Sequence, residues 1–266
     1  MQRTIKIIAV VILVCITLWV PAVSQFSKEI RKTVDISNDG RVDIDTYKGS
    51  ITIQTWDQPM VEIYAQVEAD GRAKYDREMV DDTEIRIHSS SDRVEIRSDY
   101  GRSEHHGFSL FGLFGEESGS LPFVHYTIKM PATARLKIKD YKSETKISNL
   151  LSSLRMETYK GSVIINEHNG PVDIETYKGN VKIDFARLSG DCSFETYKGR
   201  VEITLPKNAG FKLRADLGRR SDFTCDFDLN IKRSSRKDDY IKASVNGGGP
   251  ELSFNTTKGE IRLYEK

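Results

Sequence analysis

Apolar and polar residues alternate one for one along much of the chain. In residues 170–184, Val172, Ile174 and Thr176 fall on one side, Asp173, Glu175 and Tyr177 on the other, and Val181 and Ile183 resume the first side after a break. A period of two places successive side chains on opposite faces of an extended strand. The break is Lys178-Gly179. Such a pair predicts a corner, with glycine supplying a positive φ that other residues resist. Each unit is therefore strand, corner, strand. Equivalent apolar positions hold Val42, Ile44, Ile51 and Ile53; Leu154, Met156, Val163 and Ile165; Phe194, Val201 and Ile203; and Leu252, Phe254, Ile261 and Leu263. Every copy offers an apolar face to a core.

The corner itself repeats. Thr-Tyr-Lys-Gly stands at 46–49, 158–161, 176–179 and 196–199, Thr-Thr-Lys-Gly at 256–259, and degenerate versions at 140–143 and 215–218. Taken at the lysine position, the series 142, 160, 178, 198, 217 advances by 18, 18, 20 and 19 residues. A second turn falls between units at Asn169-Gly170, Ser189-Gly190 and Ala209-Gly210. Two short strands and two corners per period suit either stacked parallel coils or a meander of antiparallel hairpins. Near-identical residues at a fixed period are what in-register stacking produces, so the coils are favoured. The expected fold class is all-β, a repetitive β-solenoid resembling a right-handed parallel β-helix. A single coil buries too little to offset its own ordering, so the stack needs closed ends. The copies within 31–67 and 247–264 are expected to close it.

Residues 57–130 read as a less regular insertion. They predict a strand at 60–69, a short helix at 73–82, a strand pair at 84–88 and 93–97, and a strand at 123–129. Between these, residues 101–120 form a Gly/Phe-rich loop carrying His105, His106, Phe108, Leu110, Phe111, Leu113 and Phe114. The loop either plugs the end of the stack or exposes Phe108, Phe111 and Phe114 as a contact patch.

At the N-terminus, Arg3 and Lys6 precede an uncharged stretch at 7–20, followed by Ala22 and Ser24. This predicts a signal peptide over 1–24, with a retained anchor as the alternative. Residues 25–266 are then one solenoid-like domain, exported to the periplasm, cell surface or extracellular space. Lipidation at Cys15 is rejected, because Val14 precedes it where a small residue is required. The chain has 40 Lys+Arg and 39 Asp+Glu, and losing Arg3 and Lys6 with the leader leaves 38 bases against 39 acids. That balance gives no reason to expect nucleic acid or an anionic membrane surface as partner. Cys192 and Cys225 are either buried free thiols or a single bridge.

Chemistry is sparse. His88, His105, His106, His125 and His168 make no metal-ligand spacing, and no Gly-x-Ser-x-Gly elbow, P-loop or dinucleotide fingerprint occurs. No catalytic residue, metal or cofactor is expected. Asp45, Glu157, Glu175 and Glu195 share one repeat position, as a structural row does, whereas a catalytic site breaks a repeat with a unique cluster. The candidate binding face is Tyr47, Lys48, Tyr159, Lys160, Tyr177, Lys178, Tyr197 and Lys198, continued by Lys258. It is either a purely structural stack or a strip of aromatic faces beside cationic donors that grips an extended anionic or glycan polymer.

The segment Gly-Pro-Glu-Leu-Ser-Phe-Asn-Thr-Thr-Lys-Gly-Glu-Ile-Arg-Leu at 249–263, the repeated Gly-x-Val-x-Ile-x-Thr-x-x-Gly-x-Val-x-Ile units and the strand His-Tyr-Thr-Ile-Lys-Met-Pro at 125–131 together resemble the DUF4097 family of candidate adhesins. The resemblance covers about residues 35–266. It implies an exported or envelope-associated β-helix-like protein and carries over no catalytic residues. The chain departs from the family's usual Thr-Val-Asn-Gly turn by placing Tyr-Lys at the corner. The expected function is a non-enzymatic, adhesin-like module whose partner is a glycan, an envelope polymer or another envelope protein. The alternatives are a carbohydrate-active enzyme on a solenoid scaffold and a structural or regulatory periplasmic protein.

Overall fold

The computed structural model describes residues 26–71, 74–101, 120–235 and 240–266. The expected leader at 1–24, and the expected loop bearing His105, His106, Phe108, Phe111 and Phe114, lie outside them. In the described residues, alternating sequence becomes strand. β1 (Ser27–Asp35), β2 (Arg41–Asp45), β3 (Lys48–Trp56) and β4 (Met60–Glu68) precede a helix, α1 (Lys74–Asp82), and β5 (Glu84–Ser89), β6 (Arg93–Asp99) and β7 (Phe123–Pro131) follow it. The regular array runs through β8 (Arg135–Asp140), β9 (Lys142–Ser148), β10 (Leu154–Thr158), β11 (Ser162–His168), β12 (Val172–Thr176), β13 (Val181–Phe185), β14 (Cys192–Thr196) and β15 (Arg200–Leu205). After it come β16 (Phe211–Leu217), β17 (Asp222–Cys225), β18 (Asn230–Ser235), β19 (Tyr240–Val245), β20 (Glu251–Thr256) and β21 (Glu260–Glu265).

Each coil gives one strand to each of two sheets. The first sheet runs β18-β19-β16-β20-β14-β12-β10-β8-β2-β6-β5 and the second β17-β21-β15-β13-β11-β9-β3-β7-β4-β1. Coil contacts are parallel and in register: Leu154, Val172, Cys192 and Leu252 line up in one sheet, and Val163, Val181, Val201 and Ile261 in the other. These side chains meet between the sheets as a buried apolar core. Stacked coils, not a hairpin meander, are the architecture.

The order of coils in space differs from their order in sequence. The copy at β2–β3 lies between β6–β7 and β8–β9, and the copy at β20–β21 lies between β14–β15 and β16–β17. The terminal copies therefore do not close the stack. They are interior coils because their apolar residues match array neighbours on both sides; Phe254, for one, stacks on Phe194 at 5.3 Å and 17°. Antiparallel strands close one end in both sheets, β5 on the first and β4 and β1 on the second; at the other end the β18–β19 hairpin closes the first sheet, and the second ends in the parallel strand β17. Antiparallel additions interrupt the template that a parallel edge would offer to other chains. The stretch expected to be an irregular insertion supplies a whole coil, β6–β7.

Cys192 and Cys225 are free. They sit on opposite sheets with the β20–β21 coil between theirs, an offset of two strand spacings or about 9.5 Å, beyond disulfide reach. Burial pushes the Cys192 thiol up to about 12, as for an inert core residue.

Candidate functional site

The corner is built from the inside outward. Its threonine points into the core, and its Oγ1 accepts the N–H of the glycine three residues on: Gly161 to Thr158 at 3.1 Å, Gly179 to Thr176 at 2.9 Å and Gly259 to Thr256 at 2.8 Å. In the degenerate copy, Asp140 takes the threonine's place and its Oδ2 accepts the Ser143 N–H at 2.7 Å. Burial pushes that carboxyl up to about 6.

Glycine is needed here for a reason other than the one expected. Gly49 has φ 133°, but Gly161, Gly179, Gly199 and Gly259 are not among the positive-φ residues. Neighbouring coils approach so closely that a β-carbon on Gly179 would collide with the Gly161 carbonyl oxygen, and one on Gly199 with that of Gly179. In-register stacking, rather than turn geometry, selects glycine at these corners.

With glycine letting the backbones close up, the tyrosines are forced into a column. Ring centroids are 4.7 Å apart for Tyr47–Tyr141, 4.8 Å for Tyr141–Tyr159, 4.7 Å for Tyr159–Tyr177 and 4.8 Å for Tyr177–Tyr197, with interplanar angles of 2–10°. That separation is the strand spacing itself. Tyr100 meets Tyr47 edge-on at 6.5 Å, and at the far end Lys258 lies 5.1 Å from the Tyr197 ring centre and donates to its hydroxyl at 3.0 Å. That hydrogen bond, and then the Lys258 charge, pulls the Tyr197 hydroxyl below the usual phenol range. Burial first, then Tyr141 and Tyr100, pushes Tyr47 up.

Lys142, Lys160, Lys178, Lys198 and Lys258 stand exposed beside the column, and none forms an ion pair among the described residues. Lys160 and Lys178 lean on rings at 5.3 Å. Lys48 departs from the pattern. It is buried, bonded to Asp70 at 2.7 Å and Ser120 at 2.7 Å, and 4.4 Å from the Phe123 ring centre. The Lys48 hydrogen bond holds the Asp70 carboxyl below the usual range. Tyr47 thus belongs to the candidate face and Lys48 does not, because Asp70, Ser120 and Phe123 cover its side chain where the in-register Lys142 is left exposed. Lys258 continues it as expected, and Tyr141 and Lys142 belong to it although they are absent from the sequence-derived set. Their signal was the period of 18 between Lys142 and Lys160.

Glu157, Glu175 and Glu195 form an in-register row on the neighbouring face, where Arg155 pairs with Glu157 and Asp173 at 3.7 Å each. Further across the first sheet is a shallow groove of about 490 Å3, with Arg41, Arg135, Lys137 and Arg155 towards one end and Asp191 and Glu251 towards the other. Among the described residues no group of three or more His, Cys, Asp or Glu could hold a metal ion. His168 is buried edge-on to Phe185 at 5.5 Å, and burial pushes its imidazole down to about 4.

The model of the family described as Toastrack DUF4097 matches residues 114–264, more than half of the chain. Among solved structures, a candidate cell adhesion protein from Clostridium sporogenes ATCC 15579 is similar with a TM-score of 0.53 and 14% identity, over 90% of this chain and 100% of that one. A candidate adhesin from Bacteroides fragilis NCTC 9343 gives 0.29 and 10%, over 89% and 97%. A candidate lipid binding protein from Parabacteroides distasonis ATCC 8503 gives 0.24 and 11%, over 88% and 96%. No curated protein matches the sequence. At such identities the likeness to the first of these structures concerns the fold alone.

Proposed function

We propose, for a chain that belongs to the Toastrack DUF4097 family, that it is a non-enzymatic interaction module of the cell envelope and makes contact through the corner of its solenoid. The observation that carries this is the repetition of one chemistry along one edge: five stacked tyrosines and five exposed lysines, coil after coil. A polymer that repeats along its length is matched by such an edge, whereas a reaction centre needs different groups converging on one point. Export by residues 1–24 is part of the same proposal and brings the edge to envelope polymers.

The test is binding of the protein to immobilised envelope polymers, neutral and charged, beside a Lys160→Gln, Lys178→Gln, Lys198→Gln variant. The wild type is expected to bind at least one polymer and the variant to lose it, with thermal unfolding unchanged because the substituted side chains are exposed. Failure to bind any polymer, or equal binding by the variant, refutes the contact edge. Release of oligosaccharides from a bound polymer refutes the non-enzymatic assignment.

A further inference from the structure

The stacked rings also restrict the class of ligand. Sugars pack their C–H faces on aromatic rings whose own faces are open, but Tyr141, Tyr159 and Tyr177 are each covered on both sides by neighbours at 4.7–4.8 Å. The column's ends are covered by Tyr100 and Lys258. The corner therefore offers ring edges, hydroxyls and ammonium groups, and no platform for a neutral sugar.

The ammonium groups are the part of this surface that has no ion pair among the described residues, although Lys258 donates a hydrogen bond to Tyr197. Lys142, Lys160, Lys178, Lys198 and Lys258 recur at the coil spacing, and the Glu157, Glu175 and Glu195 row beside them forms no ion pair with them. Neighbouring charges about 5 Å apart repel by roughly 0.8 kcal/mol even in water. A chain of anions laid along the row would relieve every such pair at once. Lysine suits this task because its flexible stem lets a compact charge follow a ligand whose repeat differs somewhat from the coil spacing. The Lys258 hydrogen bond first, then the charges of Lys258, Lys198 and Lys178, pull the Tyr197 hydroxyl below the usual phenol range.

We infer that the corner binds an extended polyanion, a polymer with an acid group on each unit, along Lys142, Lys160, Lys178, Lys198 and Lys258. This rests on the corner being the contact surface. The experiment uses polygalacturonate, its fully methyl-esterified form with the same backbone and no charge, and long-chain inorganic polyphosphate. The acid polymers are expected to bind and the ester to bind at least tenfold more weakly. Raising salt from about 50 to about 300 mM is expected to weaken binding by at least roughly tenfold, as for several screened contacts. Changing all five lysines to glutamine is expected to abolish it, and Lys178→Glu alone to weaken it severalfold, while Tyr177→Phe retains it. Preference between the two acid polymers identifies carboxylate or phosphate as the anion. Equal binding of acid and ester forms, or insensitivity to salt, overturns the polyanion while leaving the contact edge standing. Absence of binding to either acid polymer also overturns it. Undiminished binding of the acid polymers by both lysine variants overturns polyanion and edge together.

Discussion

Asp140 is a charge-bearing residue in a slot that every other close copy of the corner fills with threonine, and its effect on stability can be worked out. Its carboxyl is buried and holds its proton up to about pH 6, against 3.8 for an ordinary aspartate. Between those values the folded protein binds the proton and the unfolded chain does not. Stability therefore falls as pH rises from about 4 to about 6 and stays lower above it. Two units at 1.36 kcal/mol each make this roughly 3 kcal/mol. His168 works in the other direction. Its imidazole stays neutral down to about pH 4, whereas an unfolded histidine takes up its proton near 6.5, so its contribution rises with pH across that window by a similar roughly 3 kcal/mol. The two slopes oppose each other, and their sum is expected to be nearly flat between pH 4 and 6. Asp140→Thr supplies the Oγ1 that Thr158 and Thr176 use and removes the falling slope. The variant should gain about 3 kcal/mol over wild type at pH 7 and show an unmasked rise between pH 4 and 6.5. Urea unfolding followed by Trp56 fluorescence at half-unit pH steps measures both. If the variant is no more stable at pH 7, or its profile parallels that of wild type, the argument from burial is wrong.

Other substitutions probe the corner piece by piece. Gly179→Ala places a β-carbon against the Gly161 carbonyl and should cost at least about 2–3 kcal/mol by chemical denaturation; a cost typical of a surface site would refute the close-approach account. Tyr177→Leu keeps apolar bulk but removes two ring stacks, for a loss of roughly 1–3 kcal/mol, and an unchanged melting temperature would show the column to be energetically idle. Asp70→Ala leaves the buried Lys48 ammonium without its carboxylate and should cost about 1–3 kcal/mol, whereas Lys48→Met together with Asp70→Ala should recover most of it; a double variant as unstable as the single one would refute the pairing.

The alternation of Val, Ile and Leu with charged residues made the strands and their inward faces legible, and the repeated corner made the stacking legible, since identical residues at one period align in register. Even β4, α1, β5 and β6 were marked by local pattern. The slots taken by the first and last coils were not. Residues 57–92 and 206–250 are long enough to return the chain to either side of a coil, and periodicity does not distinguish the two. The binding face was half legible. Tyr and Lys at every corner could be read off, but whether the rings present faces or edges depends on the distance between coils. The burial of Lys48 depends on Asp70 and Ser120, which no repeat marks.

The position of β20–β21 has a consequence for the sequence of assembly. In the middle of the stack each new coil can add to the one made before it, as in a one-dimensional array. At the C-terminal end β16 and β17 are synthesised before the coil that joins them to β14 and β15, and β17 has no other pairing partner among the described strands than β21. Residues 249–266, which carry β20 and β21, act as a keystone. Until they arrive, β15 presents an open parallel edge and β16 to β19 have no coil to dock on, so this side of the stack closes only after the strands beyond it have been made.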